Sequence, residues 1–224
     1  MSGRCIMMCA GEYHPMKIDV RPDDWVIAVD GGLVYLEEAG IEPDFLLGDF
    51  DSIGEKCRET VERFRRMGSD HFLQLPVVKD DTDTMAAARL GLSRGYREFL
   101  IYGGLGRRLD HTMANIQTLV HILRSGGSGW LLDRDTSVTV AGEGIFRIPV
   151  AFKGTVSLFA LDRELKGVTI RGMKYEVKNA AVRNDYPVGC SNETISDGQN
   201  TDASIEIGEG TALLVLTEKL INRH

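Results

Sequence analysis

Phe99-Leu100-Ile101-Tyr102-Gly103-Gly104-Leu105-Gly106-Arg107-Arg108-Leu109-Asp110-His111 runs from a short apolar segment, through a glycine turn, toward a helix starting near Thr112. Within 112–124, Ile116, Leu119, Val120 and Leu123 recur at helical spacing, and Gly126-Gly127 supplies the stop. The same order repeats upstream. Apolar runs at 5–10, 25–30, 45–48 and 72–75, with another at 130–132, alternate with amphipathic stretches at 33–39, 55–67 and 84–94. Near-continuously apolar strands alternating with helices predict a mostly parallel sheet covered on both faces. After Asp135 the pattern changes. Residues 137–141, 145–150, 155–161, 168–171, 204–207 and 212–217 read as strands separated by turn residues, with no helix among them. The expectation is an α/β fold. Its N-terminal part, 1–135, is a mostly parallel sheet with helices on both faces, and a smaller all-β sandwich or barrel follows over 136–224.

Composition narrows the function. The chain has 224 residues, 26 Lys plus Arg against 33 Asp plus Glu, and a net charge of −7. A coat for nucleic acid needs the opposite sign, so a nucleic-acid partner is not expected. The acidity is local: residues 22–55 hold ten acids and no Lys or Arg. Four cysteines (Cys5, Cys9, Cys57, Cys190) form no CxxC pair, which fits a reducing compartment rather than a disulfide framework or a zinc site. The apolar run at the start is too short for a signal peptide, and no run approaches the roughly 18 residues of a membrane span. A soluble cytoplasmic protein without a membrane partner is expected.

Three loops at strand ends carry the candidate chemistry, because open parallel sheets bind ligands outside the carboxyl ends of their strands. Gly48-Asp49-Phe50-Asp51-Ser52 follows the apolar run 45–47. In extended chain, residues i and i+2 share a side, so Asp49 and Asp51 can converge on one cation while Phe50 turns inward. Two hard oxygen ligands suit Mg²⁺, which keeps several waters and shares its shell with phosphates. The plain alternative is a turn with Asx hydrogen bonds and a helix cap at Ser52. Lys79-Asp80-Asp81-Thr82-Asp83-Thr84 precedes an Ala-rich helix. One residue there suffices as an N-cap, yet the loop offers three acids and two threonines, with Lys79 able to balance charge or reach a phosphate.

The glycine turn is neither a P-loop, lacking Gly-Lys-Ser/Thr, nor a dinucleotide fingerprint, because Leu109 stands where the third glycine belongs. Gly103 and Gly104 allow close backbone approach, the helix start attracts anions, and Arg108 can fork onto phosphate oxygens. Asp110 also reads as a helix cap and His111 as a helix-start residue. Asp30-Gly31-Gly32 is a fourth strand-end motif, with a tight turn as its alternative. Carboxylates for a divalent cation beside glycines and arginine for polyphosphate suit a Mg–nucleotide.

Taken in order and spacing, Ala28-Val29-Asp30-Gly31-Gly32, Gly48-Asp49-Phe50-Asp51-Ser52, Asp81-Thr82-Asp83 and Gly103-Gly104…Arg108-Leu109-Asp110-His111…Asn115 resemble the thiamine pyrophosphokinase family. In the second segment, Gly172-Met173-Lys174-Tyr175 and Gly189-Cys190-Ser191-Asn192-Glu193 look like the family's Gly-x-Lys-aromatic and Ser-Asn-Glu segments. Arg107 stands where the family often has a glycine, and Glu176 where bacterial members commonly have a proline. The resemblance implies ATP-dependent transfer of a pyrophosphoryl group to the hydroxyl of thiamine, with release of AMP, by a homodimer using Mg²⁺. It implies a nucleotide- and Mg-binding catalytic domain followed by a thiamine-binding and dimerisation domain. By motif, Asp49, Asp51 and Asp83 are the metal candidates. Asp30, Gly31, Gly32, Lys79, Asp81, Thr82, Gly103, Gly104, Arg108, His111 and Asn115 are the ATP-binding candidates. Asp110, Ser191 and Asn192 are the thiamine-binding candidates, with Asp49, Asp51, Asp83, Arg108 and Asp110 forming the catalytic set. Two alternatives stay open on the residues: a Mg-dependent nucleotide pyrophosphohydrolase, and a nucleotide or thiamine sensor without turnover.

Overall fold

The computed structural model describes residues 3–50, 53–76, 80–195 and 203–219. The chain divides into two compact units, Met1–Arg134 and Asp135–His224.

In the first unit the strands are β1 (Cys5–Met8), β2 (Trp25–Val29), β3 (Phe45–Gly48), β4 (Phe72–Gln74), β5 (Glu98–Tyr102) and β6 (Ser128–Leu132). They pair in parallel in the order β6-β5-β1-β2-β3-β4. The helices are α1 (Gly32–Glu38), α2 (Glu55–Met67), α3 (Asp83–Ser93) and α4 (Leu109–Arg124). Every residue of β1, β2 and β3 is buried, which explains why those strands read as unbroken apolar runs. On one face Ile6, Met8, Val26, Ala28 and Leu46 pack with Leu33 and Leu36 of α1 and with Cys57, Val61 and Phe64 of α2. On the other face α3 lies so close that a Cβ on Gly91 would sit 2.7 Å from Phe99 Cε1 and 3.1 Å from Cys5 Sγ. That proximity accounts for the small residues Ala87, Ala88 and Gly91 in this helix, where larger side chains would hold it away from the sheet.

The chain moves outward from β1 through β2, β3 and β4, then crosses to β5 on β1's other side. The carboxyl ends of β1 and β5 are therefore a topological switch point, where such sheets open a crevice for ligand. The opposite end of β1 is fixed by an ion pair. Arg4 donates from Nη2 to Asp24 Oδ2 (2.5 Å), from Nε to Oδ1 (3.1 Å) and from its backbone amide to Oδ1 (2.9 Å). Burial pushes the Asp24 carboxyl up, but the hydrogen bonds from the Arg4 side chain and from the Arg21 and Arg4 amides, together with the Arg4 charge, hold it at about 2.

The second unit has no helix among its described residues. One sheet pairs β12 (Asn192–Glu193), β9 (Gly154–Ala160), β14 (Ala212–Glu218) and β7 (Thr136–Ala141), all antiparallel. The other has the order β11 (Val177–Arg183), β10 (Glu164–Arg171), β13 (Ser204–Ile207) and β8 (Gly144–Arg147). Alternation along β9 and β14 turns Val156, Leu158, Leu214 and Leu216 inward, where Leu165, Val168, Ile170 and Ile205 of the second sheet are also buried. The fold is thus the expected α/β sheet with helices on both faces, joined to a smaller antiparallel all-β part.

The local differences have physical causes. Helix α4 begins at Leu109 rather than near Thr112, because Arg108 already holds the extended N-cap conformation and the amide of Thr112 bonds to its carbonyl. Strand β8 ends at Arg147, short of Pro149, which cannot donate to a ladder. Strand β11 carries no alternation legible in the sequence, since it lies at a sheet edge with Val182 as its one buried side chain.

Candidate functional site

A cavity of about 290 Å³ opens at the carboxyl ends of β1, β2 and β5. Cys9, Ala10 and Gly11 line it from the end of β1, Val29 and Asp30 from β2, and Gly103 through Arg108 from the turn after β5. Thr82, Asp83 and Thr84 enter from the start of α3, and His111 and Asn115 from α4.

The glycine turn is shaped by close backbone contact. Gly103 has φ +62°, and a Cβ there would lie 2.4 Å from the carbonyl oxygen of Cys9. The amide of Cys9 donates to Tyr102 O (2.8 Å) and that of Gly11 to Gly103 O (2.9 Å), so the two strand ends continue side by side past the sheet. Asn115, buried in α4, donates from Nδ2 to the carbonyl of Gly104 at 2.7 Å and ties the turn to the helix.

Three carboxylates share one electrostatic neighbourhood. Burial raises the pKa of Asp30; a hydrogen bond from the Gly31 amide opposes this, and the charges of Asp49 and Asp83 reinforce it. Asp30 is left-handed at φ +50°, and its Oδ1 accepts from the Phe50 amide at 3.3 Å, which ties β2's end to the loop after β3. Phe50 itself is buried and stacks on Phe72, with ring centroids 5.5 Å apart. Thr82 caps α3 by accepting from the Met85 amide at 3.2 Å, which fixes Asp83 in the first turn. Among the described residues no three His, Cys, Asp or Glu side chains form a ready metal cage. Hard oxygen donors spread over separate strand ends fit a divalent cation that takes one or two carboxylates and completes its shell from phosphates and water.

Other candidates are placed differently. Arg108 and Asp110 are exposed and face each other, with Nη2–Oδ2 at 2.6 Å and Nε–Oδ1 at 3.2 Å; Asp110 also accepts from the His111 amide. The bond from Arg108 holds the Asp110 carboxyl below the usual range. Asp81 pairs with Arg89 at 2.7 Å and does not line the cavity. Gly31 and Gly32 lie at the start of α1, where a Cβ on Gly32 would meet Met8 O at 2.0 Å; Gly32 allows the helix to pack on β1. Asp51, Ser52 and Lys79 lie outside the described residues.

Ser191 and Asn192 belong to the second unit. There an apolar cavity of about 310 Å³ is lined by Val156, Leu158, Met173 and Val182, with Tyr175, Cys190 and Asn192 also on its wall. Asn192 is buried, and both ends of its amide are engaged. Its Oδ1 accepts from Tyr175 N (3.0 Å) and its Nδ2 donates to Tyr175 O (2.8 Å). The neighbouring Glu193 accepts from Lys174 at 3.3 Å, joining the same two segments, and from Lys219 at 2.9 Å, which adds the end of β14. Ser191 is exposed and left-handed (φ +57°), and its amide donates to Ser157 Oγ at 2.9 Å.

Residues 20–128 match the family model described as the thiamin pyrophosphokinase catalytic domain, and residues 145–210 match that of the thiamin pyrophosphokinase vitamin B1 binding domain. A thiamine pyrophosphokinase of Bacillus subtilis is 31% identical over 170 residues, covering 75% of this chain and 78% of the relative. The chain belongs to the thiamine pyrophosphokinase family. A crystal structure of thiamine pyrophosphokinase from Bacillus subtilis superposes with a TM-score of 0.83 at 25% identity, covering 97% of this chain and 100% of the other. The thiamin pyrophosphokinase of Candida albicans shares the fold at 14% identity, with a TM-score of 0.74 and coverage of 96% and 89%.

Within this thiamine pyrophosphokinase fold, sequence reasoning overlooked the end of β1. Ala10 and Gly11 line the cavity, and the signal was present, since Gly11 directly follows an apolar run just as Gly103 does. Thr84, buried with its Oγ1 3.5 Å from Cys9 Sγ, was hidden behind the more conspicuous acids beside it. Among the described residues no helix is long and apolar enough to cross a membrane.

Proposed function

We propose that the chain transfers a pyrophosphoryl group from ATP to the hydroxyl of thiamine, giving thiamine diphosphate and AMP. The observation that carries this reading is the convergence of three strand ends, those of β1, β2 and β5, and two helix starts, those of α3 and α4, on one cavity. A glycine turn and Arg108 line it together with Asp30 and Asp83. Gly103, Gly104, Asn115 and His111 would cradle the phosphates, with Arg108 supplying positive charge and Lys79, Asp81, Thr82, Gly31 and Gly32 supporting the nucleotide side. Asp49, Asp51 and Asp83 would hold a divalent cation, Mg²⁺ by the hardness of the donors, which when bound neutralises phosphate charge.

In the reaction the thiamine hydroxyl oxygen forms a bond to the β-phosphorus while the bond from that phosphorus to the α,β-bridging oxygen breaks. AMP leaves with that oxygen and its electron pair, and the hydroxyl proton passes to a nearby carboxylate, for which Asp110 is the candidate. The protein's contribution is positioning and charge. Arg108 sits opposite Asp110 and can exchange that partner for a phosphate oxygen, because both are exposed. In the second unit Ser191 would contact thiamine, and Asn192 would shape the cavity rim through Tyr175. The working form would be a homodimer in the cytoplasm, with the α/β unit carrying nucleotide and metal and the all-β unit carrying thiamine and the subunit contact.

Product analysis by mass spectrometry tests this. With Mg²⁺, ATP and thiamine, thiamine diphosphate and AMP are expected, with no thiamine monophosphate or ADP. AMP released equally fast without thiamine would make the chain a pyrophosphohydrolase, and ATP binding without AMP release would make it a sensor.

A further inference from the structure

Glu12 lies just past the end of β1 and is not among the residues that line the cavity. It backs the glycine turn from behind. Residue 12 forms an antiparallel bridge with Leu105, continuing the bond from Gly11 N to Gly103 O. Its Oε2 accepts from the amide of Arg107 at 3.3 Å. Its Oε1 lies 3.7 Å from His14 Nε2, and His14 Nδ1 in turn lies 3.1 Å from Asp133. The turn it touches is unusual. Gly106 and Arg107 are both left-handed, at φ +73° and +56°, and Arg107 does so with a side chain. A Cβ on Gly106 would fall 2.6 Å from Glu12 Oε2, so turn and carboxylate are fitted closely to each other.

A left-handed non-glycine residue is disfavoured unless its surroundings hold it there. We infer that Glu12 is a positioning residue: by binding the Arg107 amide it holds the turn in the shape that receives the nucleotide phosphates. This rests on the ATP-dependent reading above. Replacing Glu12 with alanine releases Arg107 to its preferred backbone region and moves the Gly106–Arg108 wall of the cavity. Replacing Arg107 with glycine removes the need for the contact, because glycine takes positive φ without cost.

The test compares wild type with Glu12→Ala, Glu12→Gln and Glu12→Ala/Arg107→Gly, reading KM for ATP, KM for thiamine and hydrogen exchange at residue 107. Glu12→Ala is expected to raise KM for ATP about tenfold, the population shift matching the cost of a left-handed side chain. KM for thiamine stays within about twofold, as expected when only nucleotide binding is affected. Glu12→Gln keeps an acceptor oxygen and stays near wild type, and the double variant recovers toward wild type. An unchanged KM for ATP in Glu12→Ala, an equal rise for thiamine, or no recovery in the double variant would overturn the assignment. Should wild type prove not to use ATP, the functional reading falls, and exchange alone decides on Glu12. Faster exchange at Arg107 in Glu12→Ala supports its hold on the turn; unchanged exchange overturns it.

Discussion

Replacing Gly103 with alanine probes how tightly the turn's backbone is bound to the strand beside it. At φ +62° an alanine costs about 1–2 kcal/mol relative to its preferred regions. Its Cβ would also stand 2.4 Å from Cys9 O, a backbone atom at the end of a fully buried strand that cannot swing aside. Relief requires the two segments to part, weakening the Gly11 N–Gly103 O bond of 2.9 Å, which is worth about 1 kcal/mol. The sum is about 2–3 kcal/mol, or a melting-temperature drop of about 4–12 °C for a chain of this size. Gly104 is the control. Its Cβ would meet side-chain atoms only, Leu131 Cδ2 at 2.8 Å with Asn115 Nδ2 and Ile101 Cγ2 both at 3.4 Å, and small side-chain shifts relieve this for about 1 kcal/mol. Calorimetry gives the stability, and product formation at varied ATP gives the site. Gly103→Ala is expected to raise KM for ATP at least about tenfold, the effect of misplacing positioning groups by a fraction of an ångström or more. The reasoning is refuted if Gly103→Ala melts with wild type at an unchanged KM, or if Gly104→Ala proves the more damaging.

Four further outcomes are expected. Asp24 is depressed from 3.8 to about 2 in the fold, so its contribution is complete above pH 4 and is lost as pH falls from 4 to 2. Urea unfolding across that window should show about 2 kcal/mol of pH-dependent stability that Asp24→Asn abolishes. Asp49→Ala should lower kcat about 10²-fold or more, the scale for losing one strong electrostatic stabiliser, and near-normal turnover with the same Mg²⁺ requirement would remove it from the metal set. Chelation with EDTA should stop turnover and added Mg²⁺ restore it, while turnover that persists after exhaustive chelation would argue against a metal role. Asn192→Ala should raise KM for thiamine several-fold with KM for ATP within about twofold, since only the Tyr175 segment is released; matched changes in both constants would count against a thiamine-side role.

The parallel sheet was legible because strands buried on both faces leave unbroken apolar runs, as 5–8, 25–29 and 45–48 do. Helix α2 was readable to its ends because Gly54 and Gly68 bracket an amphipathic stretch. Strand β11 was not, since an edge strand with Val182 alone buried carries no period to detect. The candidate site divides in the same way. Acids and glycines at strand ends announce themselves by type and position, and the cavity gathers Asp30, Asp83, Gly103 and Gly104. What a side chain is already bonded to is set by tertiary contacts between distant segments. Neither the Asn192 amide's grip on Tyr175, 17 residues away, nor that of Glu12 on Arg107, 95 residues away, leaves a local pattern. Asp81 looks like its neighbours in sequence and is set apart by Arg89, two turns along α3.

The cysteines make this chain convenient for spectroscopy. Cys5, Cys9 and Cys57 are buried, and desolvation pushes the Cys9 thiol up to about 12 and that of Cys5 higher still, so neither ionises at neutral pH. Cys190 is exposed at the rim of the second unit's cavity, with its thiol held below the usual value by the hydroxyls of Ser191 and Ser157. A maleimide fluorophore should therefore label the unaltered folded protein at a single position. The dye would sit beside Ser191 and Asn192, where it could report directly on a ligand entering the pocket.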